Sequence, residues 1–338
     1  MVAAPNYQHY GQITSLTTSN LGNVQRHVGL VSVVMVVAVT LVVDGSTLVD
    51  AGVSTVTSGP NTKAKPAPSC PAYRATKRGS IPSSLGELSG WALSKRHPNV
   101  LWGHNDSGDG ARLIAVSTTD ASAVADVDVV GTVATDWEDI ATYRDRQGRH
   151  WIVVADTGDN AEGRDSVRLV FVPEPKLSLK RVTAAWEVTV TWADGPHDVE
   201  SLIMDPRTGD AILIGKRFAG AAEVSVDVVA ASAMVPGARV TSTKVGMLSI
   251  PGGQPYGPTG ASISSDGTAI ALVFYANLTL IWNRVTGVSV GDTILEGTAC
   301  RVGTGFGQYE AVAIDGSGTV FVATEGKSVP LRAYQRAR

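Results

Sequence analysis

The sequence lacks a surplus of basic residues and lacks the zinc-binding motif of one large enzyme class. Its 28 Lys and Arg residues are outnumbered by 31 Asp and Glu residues, for a formal net charge of −3. A chain without a basic surface is not expected to bind nucleic acid. There is no HExxH zinc motif, which argues against metalloproteases of that type.

A pair of short apolar strands is present instead, and it recurs five times. The first strand of each pair reads LSGWALS, WEDIATY, VESLIMD, PTGASIS or YEAVAID, and its second residue is Ser89, Glu138, Glu200, Thr259 or Glu310. By subtraction these residues are 49, 62, 59 and 51 positions apart. Repeats of about 40 to 60 residues with several strands each are typical of propeller blades.

The repeat predicts an all-β fold, a β-propeller of five four-stranded blades. The first four units each contain four candidate strands, whereas the fifth is one strand short when the chain ends. The segment PAYRATK from Pro71 supplies the missing strand and closes the ring, which removes an exposed sheet edge. Six blades are the alternative if the long third unit contains another.

The segments before the propeller predict export. Residues 1–27 form a polar lead, and residues 28–43 are an uncharged apolar run that fits either a signal-peptide core or a single transmembrane anchor. Arg26 before the run and Asp44 after it place the rest of the chain outside the cytoplasm. Residues 44–70 read as a flexible linker, so the propeller, residues 71–338, is expected to be a secreted or membrane-anchored monomer.

Cys70 and Cys300 are the only cysteines in the chain. They have neither CxxC spacing nor a nearby set of His ligands, and in an exported chain such a pair predicts a disulfide bond rather than a metal site or a nucleophile. Cys70 lies where the N-terminal strand is expected to join the last blade, and Cys300 lies on the outer strand just before that blade. The bond is therefore expected to fasten the ring where it closes.

Propeller geometry places the start of strand one and the end of strand two of each blade on the same face. Carboxylates outnumber cations at these ends, and oxygen-only ligand sets suit calcium or magnesium. The pattern predicts a divalent cation, calcium, at this mouth of the central channel. Polar side chains that hold water or bond backbone amides are the alternative interpretation.

Further candidates lie at the ends of the second strands. Asp106 and Asp109 in HNDSGDG match Asp156 and Asp159 in ADTGDN, although Asp and Gly at these spacings also make ordinary turns. His104 is a candidate general base, with a surface hydrogen-bonding role as the alternative. The remaining candidates for ligand binding at the same mouth are Lys216, Arg217 and Tyr275.

The phrases HNDSGDG, DWEDIA, VESLIMDPRTGD and QYEAVAID resemble a family of uncharacterised exported actinobacterial propellers, which is more remotely similar to propeller phytases and the esterase-like phytase group. The resemblance covers about residues 85–335. In propeller phytases, acidic residues hold calcium ions that organise phosphate and the attacking water. Carried over to this chain, the resemblance implies as calcium ligands Glu138, Asp156, Glu200, Glu310 and Glu325.

Two functions are compatible with these features. The first is an exported propeller that binds a small ligand, a glycan or a protein through an acidic, cation-binding mouth. The second is a calcium-dependent hydrolase of a phosphoester, ester or lactone, in which the cation polarises the substrate and lowers the pKa of a bound water.

Overall fold

The protein is described here from a computed structural model, which describes residues 70–217 and 220–337. The predicted lead (1–27) and apolar run (28–43) lie outside the described residues, as does nearly all of the predicted linker (44–70). Within the described part of the chain, no helix has the length and apolar character needed to cross a membrane.

The described residues form a five-bladed β-propeller, which confirms the predicted fold and blade count. Strand β1 is Tyr73–Ser80, and blade 1 follows with β2 (Leu88–Leu93), β3 (Val100–Asn105), β4 (Arg112–Ser117) and β5 (Ala123–Val130). Blade 2 comprises β6 (Trp137–Arg144), β7 (His150–Asp156), β8 (Val167–Pro173) and β10 (Trp186–Thr191), with the short β9 (Arg181–Thr183) between β8 and β10.

Blades 3 to 5 complete the ring. Blade 3 comprises β11 (Val199–Met204), β12 (Ala211–Gly215), β13 (Glu223–Val229) and β15 (Thr243–Ser249), and the short β14 (Arg239–Thr241) precedes β15. Blade 4 comprises β16 (Pro258–Ile263), β17 (Ala269–Phe274), β18 (Asn277–Asn283) and β19 (Cys300–Gly305), with helix α1 (Val290–Glu296) between the last two. Blade 5 comprises β20 (Tyr309–Ile314), β21 (Val320–Thr324), β22 (Pro330–Arg336) and, at its outer edge, β1.

Burial follows the position of each strand within its blade. Inner strands such as β11 and β20 are buried at every position, because other blades cover them on both faces. Outer strands such as β5 and β19 alternate between buried and exposed residues. Five separate apolar cores result within residues 70–217 and 220–337, one between each pair of neighbouring blades. The core between blades 5 and 1 joins Trp91 and Leu101 to Phe321 and Ala333.

The ring closes as the sequence predicts. Strand β1 pairs antiparallel with β22, from Tyr73 opposite Arg336 to Ser80 opposite Pro330. The predicted disulfide between Cys70 and Cys300 is present and joins residues 230 positions apart, with a Cα to Cα distance of 5.3 Å. It connects the segment before β1 in blade 5 to the first residue of β19 in blade 4.

Three elements beyond the four-strand pattern cover the outer edges of blades. Strand β9 of blade 2 pairs in parallel with β5 of blade 1, and β14 of blade 3 pairs in parallel with β10 of blade 2. Helix α1 of blade 4 packs on β15 of blade 3, where Gly246 lies against Leu295. Residues 239–249 form two strands, β14 and β15, because the first part of the segment bonds the edge of the preceding blade, which would otherwise be unpaired.

Candidate functional site

Every inner strand carries a β-bulge at the same position of the repeat. The pairing register between strand one and strand two shifts across one residue in each blade. An unpaired bulge residue can turn its side chain away from the regular pleat. The five bulge residues are those aligned from the sequence, and all are at most 5% exposed: Ser89, Glu138, Glu200, Thr259 and Glu310.

The bulge residues divide into two chemical types. The hydroxyl of Ser89 donates to the backbone oxygen of Glu138 at 2.7 Å, and that of Thr259 donates to the backbone oxygen of Tyr309 at 2.6 Å. Both hydroxyls thus tie one inner strand to the next. Among the five bulge residues, only the glutamates of blades 2, 3 and 5 carry a carboxyl group.

Carboxylates meet here in two groups that share one residue. Asp106, Asp136 and Glu138 each place an oxygen within 4.8 Å of the others, and Glu138 does the same with Asp198 and Glu200. Oxygen ligands at this spacing are what calcium takes in proteins. We call these five residues, together with Glu310 and Glu325, the acidic mouth.

Backbone geometry brings the shared residue close to its neighbours. A Cβ atom at Gly158 would lie 2.1 Å from Oε1 of Glu138 and 2.4 Å from Oδ2 of Asp136. Only glycine leaves room for both carboxylates at this point. The Thr157-Gly158-Asp159 segment after β7 therefore lets the backbone lie directly against the carboxylates of Glu138 and Asp136.

Six carboxyl groups of the acidic mouth have raised pKa values: Asp136, Glu138, Asp198, Glu200, Glu310 and Glu325. Burial, reinforced by Glu200 and other carboxylates, raises the pKa of Glu138 well above its ordinary range. Burial and neighbouring acids raise the pKa of Asp136 to about 6, of Glu200 to about 8 and of Glu310 to about 9. Lys216 contacts Glu200 and opposes the shift, and its own pKa is raised because the nearby glutamates outweigh the effect of its burial. A bound divalent cation would favour the ionised carboxylates.

Asp139 closes the channel beneath the acidic mouth. Its Oδ2 accepts the backbone amides of Leu202 at 2.7 Å and Ala261 at 3.0 Å, so one carboxylate of blade 2 joins blades 3 and 4. A Cβ atom at Gly90 in blade 1 would lie 2.9 Å from Oδ1 of Asp139. Burial raises the pKa of Asp139, while three amide donors act in the opposite direction. Asp139 therefore links the inner strands of blades 2, 3 and 4 across the channel.

We expect Asp139→Ala to lower the free energy of unfolding by about 3 kcal/mol, because it leaves the buried amides of Ile140, Leu202 and Ala261 without this acceptor. Chemical denaturation measures this change. Asp126→Ala, at an exposed carboxylate on β5, is the matched control and should cost less than about 0.5 kcal/mol. Equal effects of the two substitutions would contradict the structural role of Asp139.

Three of the aspartates predicted from the second-strand loops are engaged in local structure. Asp156 is fully buried, pairs with Arg164 and Arg168, and accepts the amide of Asp136 at 3.1 Å. Asp156 therefore lies behind the loop that carries Asp136 and outside both carboxylate groups, and its role as a calcium ligand stays a prediction. The other two are Asp109, paired with Arg112 at 2.7 Å, and Asp159, whose amide donates to Asp198 at 2.8 Å.

The remaining predicted residues surround the acidic mouth. Glu325 is about half buried, accepts a hydrogen bond from Gln308, and has a pKa raised by burial and by Glu87. Tyr275 makes an edge contact with Tyr256, with ring centroids 5.3 Å apart, and the ammonium of Lys216 lies 5.6 Å from the Tyr256 ring. Arg217 lines shallow depressions beside Asp198.

His104 lies inside the packing between blades 1 and 2. It is 1% exposed, its Nδ1 is 2.9 Å from the backbone oxygen of Asn105, and its ring meets Trp137 edge-on at 5.6 Å. Burial lowers its pKa, so the imidazole is neutral near pH 7. A general base would need access to substrate, and the packed position of His104 does not provide it.

The carboxylates that sequence reasoning left out of its ligand set are Asp136 and Asp198. Each stands two residues before a bulge glutamate, which gives the pattern DWE in blade 2 and DVE in blade 3. Residues two apart in extended chain project to one side. The repeated Asp-x-Glu pattern is therefore the sequence signal for Asp136 and Asp198. The sequence predicts Asp106 as a ligand-binding residue and not as a metal ligand.

A scan of protein-family models and a search of curated proteins both found no match for this chain. The functional assignment therefore rests on the fold and on the chemistry of the acidic mouth.

Proposed function

We propose that this protein is an exported or membrane-tethered propeller that binds calcium in its acidic mouth and captures a small ligand or glycan there. The observation that carries the proposal is the pair of carboxylate groups that share Glu138. Calcium takes six to eight oxygen ligands. Three protein carboxylates leave positions open, so oxygen atoms of a ligand can complete the shell.

The surroundings of the acidic mouth favour an oxygen-rich ligand. Asp139 bridges blades 2, 3 and 4 across the channel below, so the proposal has the ligand approach from the outer face. Tyr256 and Tyr275 stand at the rim and offer ring surface beside the carboxylates. A sugar presents hydroxyls to the cation and C–H groups to the rings, which makes a glycan a good fit to this combination.

The disulfide supports the proposed location. Bonds of this kind persist in oxidising compartments outside the cytoplasm. Residues 28–43 provide the export signal or the anchor in this proposal.

Calcium is expected to raise the melting temperature of the purified protein by roughly 5 °C or more at saturation, because it binds the folded mouth and not the unfolded chain. Differential scanning calorimetry in EDTA and in excess calcium measures the shift. Magnesium is the comparison ion, and its smaller shell and stricter geometry predict a weaker response. Identical melting curves in EDTA and calcium would refute the proposal.

The stability of the calcium-free protein is expected to fall as pH rises from 7 to 9. Glu200 and Glu310 have folded-state pKa values of about 8 and about 9 against an ordinary value of 4.5, so the fold favours their protonated forms. That stabilisation is complete below pH 4.5 and disappears as pH rises through these values. His104, with its lowered pKa, affects stability only on acidification below about 6.5.

Melting temperatures across this pH range test the expectation, with a decline of roughly 3 °C or more in EDTA. Calcium should flatten the profile, since a bound cation stabilises the ionised carboxylates. A profile in EDTA that is flat or rises from pH 7 to 9 would contradict the assignment of raised pKa values to this site.

Hydrolysis of a phosphoester, ester or lactone is the second candidate function. The sharing of Glu138 by two groups favours it, because neighbouring cations bridged by a carboxylate can clamp a phosphoryl group and activate water. A panel of phosphoesters, lactones and carboxylic esters, assayed with calcium and with EDTA, separates the candidates. Calcium-dependent turnover supports the enzyme, whereas calcium binding without turnover supports the binding function.

A further inference from the structure

The face of the ring opposite the acidic mouth carries a depression of opposite charge. Inner strands begin at the acidic mouth, so their far ends and the turns into the second strands lie on the other face. A cavity of about 560 Å³ there is lined by Lys95, Arg144, Arg146, Pro206 and Ser265, among others. A second cavity of about 330 Å³ shares Arg144, Arg146 and Pro206 with it, so the two are continuous.

Four cations line this basic depression: Lys95, Arg144, Arg146 and Arg207. Among the ion pairs of residues 70–217 and 220–337, none includes any of them. Backbone oxygens are their partners where they have any: Arg144 donates to Gly148 at 3.3 Å and Arg207 to Asp266 at 3.1 Å.

One carboxylate, Asp145, lines both cavities, and Asp266 and Glu174 lie nearby; all three accept hydrogen bonds from groups other than the four cations. Asp145 accepts from the backbone of Arg149 at 2.8 Å, from its guanidinium, and from the indole of Trp151 at 2.8 Å. Asp266 accepts the hydroxyls of Ser264 and Thr268 at 2.6 and 2.8 Å. Glu174 accepts the Trp102 indole at 3.0 Å and the Ser94 hydroxyl. These contacts leave the positive charge of the depression without direct carboxylate partners.

One wall of the basic depression is apolar. Tyr143, Phe171, Pro206 and Met234 line the smaller cavity, and the Tyr143 and Phe171 rings meet edge-on at 6.5 Å. Lys95 stands on the other side, where it also lines the lower end of the central channel. Burial lowers the Lys95 pKa, which nearby Glu174 and Asp266 partly oppose. Cations facing an apolar wall suit a ligand with one charged end and one apolar end.

We propose that the basic depression is a second ligand site, which binds a molecule with an anionic group and an apolar body through Arg144, Arg146 and Arg207. Guanidinium groups pair with the oxygens of carboxylate, phosphate or sulfate. The apolar body rests against Tyr143 and Met234. Asp139 lies between this site and the acidic mouth, so we expect binding here to be independent of calcium.

Isothermal titration calorimetry with phenylphosphonate tests the site, since this probe combines a ring with a phosphonate that hydrolysis does not remove. We expect saturable binding by the wild-type protein, with the same affinity in EDTA and in calcium. The double substitution Arg144→Gln with Arg146→Gln should weaken binding about tenfold or more. Benzyl alcohol, which has the ring without the charge, should also bind at least about tenfold more weakly.

Arg181→Gln is the matched control, because Arg181 is 70% exposed on β9 and pairs loosely with Asp128 at 3.9 Å. It should leave the affinity for phenylphosphonate unchanged. Absence of saturable binding by the folded wild-type protein, or equal affinity in the double variant and the control, would overturn the proposal.

Vesicles distinguish two sources of the same ligand chemistry. Sedimentation with vesicles of phosphatidylcholine and phosphatidylglycerol that is lost in the double variant identifies a lipid headgroup as the anion. Phenylphosphonate binding without sedimentation identifies a free small molecule.

Discussion

Replacing both Cys70 and Cys300 with serine is expected to lower the free energy of unfolding by on the order of 5 kcal/mol. The bond joins residues 230 positions apart and therefore closes almost the whole ring as one covalent loop. Without it, the unfolded chain gains the conformational freedom that the loop had removed. The missing bond lies at the junction of blades 4 and 5, where β1, from near the start of the propeller, joins the sheet of blade 5.

Urea denaturation of the double variant and of the oxidised wild type measures this difference. Wild type treated with a reductant is the matched comparison and should agree with the variant, because both lack the bond while only one has changed side chains. A double variant within about 1 kcal/mol of the oxidised wild type would show that pairing of β1 with β22 closes the ring without help from the disulfide.

Glu138→Gln is expected to abolish the calcium response while stabilising the calcium-free protein. The substitution keeps the shape of the side chain and removes the one charge that belongs to both carboxylate groups. Calcium affinity should fall by about 100-fold or more, which corresponds to about 2.7 kcal/mol. In EDTA the variant should melt above wild type, because burial and the surrounding acids make an ionised Glu138 costly.

Melting temperatures of wild type and variant in EDTA and in calcium test both expectations: the higher melting temperature of the variant in EDTA and the loss of its calcium response. Glu87→Gln is the control, because Glu87 is exposed and lies outside both carboxylate groups although it is near enough to influence Glu325. It should retain nearly all of the calcium response. If E138Q responds to calcium as strongly as wild type, the acidic mouth is not the calcium site.

Repetition made most of the architecture predictable. The five aligned residues Ser89, Glu138, Glu200, Thr259 and Glu310 predict five blades, because each marks one copy of the same inner strand. The last unit is one strand short, which predicts that β1 closes the ring. The edge-covering elements were not predictable in this way. Strand β9 bonds β5 across more than fifty positions of sequence, and its three residues carry no strand pattern of their own.

The acidic mouth was predictable in part, for a similar reason. Glu138 and Glu200 occupy the same position of their inner strands, so the propeller fold brings their side chains close together. Asp106 and Asp156 occupy matching loops, yet only Asp106 joins a carboxylate group, because Arg164 and Arg168 engage Asp156. The hydrogen bonds that Asp139 accepts from Leu202 and Ala261 span 63 and 122 positions of sequence. They exist only because the closed ring brings three blades together, and no local sequence pattern predicts them.

A crystal structure of the propeller grown in calcium, with anomalous diffraction recorded at a long wavelength, tests the central claim most directly. We expect an anomalous peak for a calcium ion with carboxylate oxygens about 2.4 Å away. These oxygens should come from Glu138 together with Asp198 and Glu200, or from Glu138 together with Asp106 and Asp136. Crystals of E138Q should lack this peak. Wild-type crystals with no peak among these carboxylates at saturating calcium would contradict the account.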